Sequence, residues 1–183
     1  KDPAYDVTQL DKPELELLGR RQEKFLEDWV QDWRGADFKS LLSQTIFVNL
    51  ANYHGAKQEF IYADLDSNGW PQTPRNRALS ILRKGYAFHY AGDQHLPSVT
   101  RNGVDTWNDA GYAFCVPSIA AGYPRSWRPD QEGRSFQNQV IGENTGEYRD
   151  AFGNLMTVWA IGNPEKEYRS GRINTLHDKS SGY

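Results

Sequence analysis

The sequence predicts an α/β fold with a β-rich C-terminal portion. Helix, strand, long polar loop, helix and strand follow one another as far as Ala91, an order that favours a parallel sheet. After Pro97 glycine and proline become frequent and only short strand-like runs remain. Neither a repeat nor a linker interrupts residues 1–183, so the chain reads as one domain.

Between Glu14 and Trp33, Leu18, Phe25, Leu26, Trp29, Val30 and Trp33 share one face of a 3.6-residue period, and Gly35 supplies a stop. Phe38–Val48 is short, β-branched and apolar, which predicts a buried strand. Residues 49–72 form a polar connection long enough to carry function. The next helix is expected over Thr73–Lys84, with Thr73 as N-cap, Pro74 in the first turn and Gly85 as the stop. Tyr86–Ala91 is then a strand running into Gly92-Asp93-Gln94-His95. Further strands are expected at Gly111–Pro117, Leu155–Ile161 and Arg172–Leu176, with Ala120–Glu147 as a surface excursion.

Composition narrows the function. Twenty-one basic residues against 24 acidic ones give net charge -3, which argues against a nucleic-acid partner. Aromatic residues at 13% place the chain outside the disordered class. A single cysteine, Cys115, excludes an internal disulfide and a cysteine-rich zinc finger. No stretch approaches the ~20 apolar residues of a membrane helix. The chain opens on Lys1 without a signal-like pattern and reads as starting inside a longer gene product.

The strongest chemical signal is GDQH, Gly92 to His95, at the end of a strand, where open α/β sheets place their sites. On extended backbone Asp93 and His95 point the same way and can reach one metal, an oxygen and imidazole pair suited to Zn, Fe or Mn. The plainer reading makes Asp93 a turn cap and His95 a satisfied polar residue. His54, in NYHGAKQ, is a further candidate for a metal or phosphate contact, or else an exposed loop histidine. His89 reads as buried structure. Asp64 and Asp66 are an acid pair or turn formers. Arg75, Arg77, Arg83 and Lys84 read as a solvated helix face. Arg125, Arg128 and Arg134 interleave with Tyr123 and Trp127 and make the one basic-aromatic stretch.

The order LGRRQEKFLEDWVQDW, FKSLLSQTIFV, DSNGWP, PRNRALSILRKG, YAFHYAGDQH and, later, GEYRDAFGNLMTVWAIGNP resembles the alkaline phosphatase D-like metallophosphoesterases. The resemblance implies the C-terminal half of a calcineurin-like four-layer α/β/β/α sandwich. It implies hydrolysis of phosphomonoesters or phosphodiesters at a dinuclear centre of divalent or trivalent ions (Fe, Zn, Mn or Ca). Asp93 and His95 transfer as metal ligands. The family's earlier motifs have no match here, so the remaining ligands would come from the N-terminal half of the same protein. A periplasmic or extracellular location is implied as well.

Two other classes stand beside it. Trp70, Trp107 and Trp127, with abundant Asn, Asp and Gly, would make a flat sugar-binding platform in a non-catalytic carbohydrate-binding module. A divergent, inactive relative would keep the fold without its ligands.

Overall fold

A computed structural model describes residues 4–55, 57–117, 123–134 and 142–164. Within them lies a mixed α/β fold of two helices and two sheets. Helix α1 runs Arg20–Trp29 and helix α2 Gln72–Leu82. The strands are β1 (Ser40–Ser43), β2 (Tyr53–His54), β3 (Glu59–Phe60), β4 (Phe88–Ala91), β5 (Ser98–Asn102), β6 (Tyr112–Cys115), β7 (Arg125–Ser126), β8 (Gly146–Arg149) and β9 (Leu155–Ile161). The larger sheet has the order β1-β4-β6-β5-β9-β8, and a small sheet has the order β3-β2-β7.

In the larger sheet β1, β4 and β6 are parallel, and β5, β9 and β8 continue it antiparallel. As expected, the first two strands pair directly, Ser40 opposite Phe88 and Ser43 opposite Ala91, with α2 between them in sequence. Leu26 and Val30 from the first helical segment pack with Ala78, Leu79, Ile81 and Leu82 of α2 against Phe47, Ala87 and Ala110. A second cluster sets Ile46, Val48 and Leu50 against Ala91, Ala113, Cys115, Met156 and Val158 of the sheet. Each leucine, isoleucine, valine, phenylalanine or methionine among them contributes about 1.5–3 kcal/mol when fully buried. No helix of the described residues is long and apolar enough to cross a membrane.

Local chemistry moves several expected boundaries. The first helix starts at Arg20, where the Gln22 side chain accepts the Gly19 N–H at 3.1 Å. Beyond its end, the Lys39 ammonium donates to the carbonyls of Trp29 and Asp32, both at 2.6 Å. It also lies 4.9 and 4.6 Å from the ring centroids of Trp29 and Trp33, which fixes the turn into β1. The expected strand Phe38–Val48 shrinks to four residues, although Ile46, Phe47 and Val48 stay buried. Pro71, not Thr73, is the residue before α2, and the Thr73 N–H and hydroxyl instead donate to Asp11. Leu155–Ile161 forms as expected, Gly111–Pro117 contains β6, and Arg172–Leu176 lies outside the described residues.

One large sheet is present among the described residues; a second large sheet with its own helical layer is not among them. The excursion expected over Ala120–Glu147 carries β7, which binds residues 53–54 into the small sheet, and the start of β8.

Candidate functional site

GDQH does follow the end of the central strand β4, but its backbone is not extended. Asp93 and His95 both take the left-handed region, at φ 56° and 47°. The Gln94 N–H closes back on the Gly92 carbonyl at 2.6 Å. The alternation that would aim Asp93 and His95 the same way therefore does not operate here. His95 Nδ1 bonds the Tyr123 carbonyl at 2.7 Å; a carbonyl only accepts, so this nitrogen carries the proton. Asp93 Oδ2 and both amide atoms of Gln94 are buried without a hydrogen-bond partner.

His54 is not an exposed loop residue. It sits on β2, opposite Arg125 of β7, buried, with Nε2 donating to the Ala51 carbonyl at 3.1 Å. Burial first, and the nearby Arg125 cation, lower its pKa, while the Ala51 carbonyl and Asp64 oppose them. Arg125 pairs with Asp64 at 3.7 Å. Asp64 also shapes the following turn, accepting the Asp66 N–H at 3.1 Å, the turn-forming role.

Among the described residues no group of three or more His, Cys, Asp or Glu side chains could hold a metal ion. This overturns the expected dinuclear centre, its Fe, Zn, Mn or Ca ions and the metal-dependent phosphoester hydrolysis that would rest on them. The physical reason is visible at each candidate. His54 is turned to a backbone carbonyl beside a cation, and Asp93 and His95, both at left-handed φ just after β4, have no third donor among the described residues. Cys115 is buried with its thiol pKa pushed up to about 11, mainly by desolvation.

The arginines divide. Arg75, expected on a solvated face, is fully buried and donates to the carbonyls of Phe47 at 2.8 Å and Gly103 at 2.6 Å. Arg77 and Arg83 remain outside, paired with Glu23 and with Asp105 and Asp109. Arg125, Arg128 and Arg134 do not share one surface partner: Arg128 lies over Tyr53 at 5.5 Å and Arg134 over Trp107 at 5.6 Å.

The three tryptophans make no flat platform. Trp127 is buried, edge-on to Tyr148 at 5.2 Å, with its indole N–H donated to the Asn144 carbonyl. The Trp70 indole nitrogen is buried without a partner. Instead, an open groove of about 410 Å³ is lined by Phe60, Tyr62 and Trp107, with Trp127 also contributing. Glu147 and Arg149 supply hydrogen-bonding groups along it, whereas the Asn52 amide in its lining is bonded through both polar atoms to the Arg128 backbone. Phe60 and Tyr62 stand 6.5 Å apart, and the Arg134 and Arg149 guanidinium groups lie 5.6 and 5.4 Å from the Trp107 ring centroid.

Sequence reading missed Phe60, Tyr62, Glu147 and Arg149. The available signal was the alternation Phe60-Ile61-Tyr62 within the long polar loop. No family model matches this chain, and neither a curated protein nor a solved structure shows significant similarity to it.

Proposed function

We propose that the chain is a non-catalytic binding module whose groove takes a carbohydrate. The observation that carries this reading is the joining of Phe60, Tyr62 and Trp107 with Glu147 and Arg149 in one open groove of about 410 Å³. That volume falls in the range of ~300–1,000 Å³ common to small-molecule sites. A sugar ring has an apolar C–H face and a rim of hydroxyls. Aromatic rings bury the first, while a carboxylate and a guanidinium can each meet two adjacent hydroxyls of the second. Under this reading the resemblance to the phosphoesterases is one of descent without catalysis.

A glycan array probed in the presence of a chelator tests it, followed by titration of intrinsic tryptophan fluorescence with the best oligosaccharide. Chelator-insensitive binding that Trp107→Ala reduces tenfold or more is expected. An array without a single specific glycan, or binding indifferent to Trp107→Ala, would remove the carbohydrate reading.

A further inference from the structure

The groove does not end at Tyr148. A second open depression of about 500 Å³ adjoins it, and Pro129, Asp130, Gln131, Glu132 and Tyr148 line both. The shared tyrosine is fixed in place. Its hydroxyl accepts the Gly133 N–H at 2.9 Å and donates to the Thr145 carbonyl at 3.1 Å, and the Trp127 ring stands edge-on to it. Each depression alone falls in the ~300–1,000 Å³ range of a small-molecule site, so a ligand that fills both is an oligomer.

The two depressions differ in charge. Beside Trp107, Arg134 is met by Glu147 at 3.8 Å, and Arg149 stands over the same ring. The described lining of the second depression holds Asp130, Glu132 and Glu143 and no basic residue. None of these acids pairs with a base among the described residues. Nor are they gathered for one ion, since among the described residues no group of three such side chains could hold a metal. An unused acceptor lies in the first groove, which Asp130 and Glu132 also line. Asn49 is 3% exposed there, its Nδ2 donates to the Tyr62 carbonyl at 3.2 Å, and its Oδ1 is buried without a partner.

Carboxylates and an amide oxygen only accept hydrogen bonds. A ligand facing them must bring donors and, for electrostatic complementarity, positive charge. A hydroxyl brings one donor, whereas an ammonium brings three and no acceptor. An N-acetyl group does the opposite, removing the charge and adding a carbonyl acceptor. Resting on the carbohydrate reading of the groove, we propose that its ligand is an oligosaccharide of amino sugars with free amines. The aromatic end takes sugar ring faces, and the end lined by Asp130, Glu132 and Glu143 takes the ammonium groups.

Calorimetric titration of the purified chain with a glucosamine tetramer and with its fully N-acetylated counterpart, in mildly acidic buffer, is the test. The free-amine tetramer should bind at least about tenfold tighter at low salt, and added salt should shrink that preference. Glu132→Gln combined with Glu143→Gln should abolish it; both side chains are exposed, so the fold does not depend on them. Asp28→Asn, an exposed acid on α1, should leave it unchanged. Equal or tighter binding of the acetylated tetramer overturns the proposal and leaves the carbohydrate groove standing. A preference indifferent to the paired glutamate substitutions does the same. A short lysine peptide bound as tightly as the free-amine tetramer overturns it as well, by showing a surface that takes any cation. A chain that binds no glycan at all removes the carbohydrate reading and this inference together.

Discussion

Asp150 Oδ2 accepts the backbone N–H of Asn49 at 2.8 Å, joining segments 101 residues apart. The same carboxylate accepts the N–H groups of Phe152 at 3.0 Å and Asn154 at 2.9 Å, and the Asn154 amide at 2.9 Å. It is fully buried, and desolvation raises its pKa against these donors. Its role is to close the turn between β8 and β9 and to anchor the chain where it leaves the buried segment 46–50.

Asp150→Ala should therefore cost about 3 kcal/mol, since three backbone donors lose their acceptor in a dry site. Urea unfolding should show a lowered midpoint with an unchanged slope. A midpoint equal to that of the wild type would mean that other groups or water satisfy those donors.

Arg75 is the second buried ion. Its pKa falls to about 10, chiefly through desolvation, so it stays charged at neutral pH. Its fork holds the carbonyls of Phe47 and Gly103, chain segments with no covalent reason to meet. Arg75→Lys should be nearly as damaging as Arg75→Met, about 2–4 kcal/mol each, because an ammonium cannot reproduce the planar fork. Thermal melts of the two variants decide this. A lysine variant close to wild type would show that charge alone suffices.

Arg75 also shows where sequence reading stops. Read with Arg77 and Arg83, it joins a basic helix face. Read by period, it stands three and four residues before Ala78 and Leu79, on the buried side. The period was the better guide. Leu155–Ile161 was legible because its apolar run is local, and so was the β1–β4 pairing around α2. The two-residue strands β2, β3 and β7 carry no such run; they exist because Tyr53 meets Phe60 and Ser126 across the fold. The groove was hidden for the same reason, since Phe60, Trp107 and Glu147 lie on three distant segments. The left-handed backbone at Asp93 and His95 falls on two of the non-glycine residue types that adopt it most readily, a signal the strand-end position of GDQH outweighed.

Two glycines separate crowding from backbone strain. A Cβ on Gly103 would stand 2.1 Å from the Thr106 carbonyl oxygen and 2.8 Å from the Leu155 Cβ. At Gly35 it would meet nothing within 4 Å, although φ is +68°. Gly103→Ala is expected to cost up to ~3 kcal/mol through overpacking against backbone, and Gly35→Ala about 1 kcal/mol through left-handed strain alone. Paired denaturation curves check the order. Equal losses would show that the loop at 103–106 moves aside freely.

The last prediction concerns acid. His89 is buried on β4 against the Phe47 ring, at 4.7 Å between centroids. Its Nε2 lies 2.6 Å from Ser43 Oγ, which is itself 2.6 Å from the Thr45 carbonyl oxygen. One hydroxyl proton cannot serve both neighbours. Donating it to the carbonyl leaves Oγ to accept from Nε2–H, which fixes the neutral tautomer and leaves Nδ1 buried without a donor. Desolvation accordingly lowers the His89 pKa from 6.5 to about 4. Below about pH 6.5 the unfolded chain takes up a proton that the folded chain refuses, so stability falls until the folded pKa is reached. Integrated over that window, His89 accounts for about 3 kcal/mol. His54, lowered mainly by burial, adds in the same direction. Asp150, whose pKa is raised, opposes them, because its folded carboxyl holds its proton more tightly than the unfolded one. Urea midpoints should therefore drop between about pH 7 and about pH 4.5 in the wild type, and His89→Gln should flatten much of that slope. A slope unchanged in His89→Gln would place the acid sensitivity elsewhere and show that His89 reaches solvent.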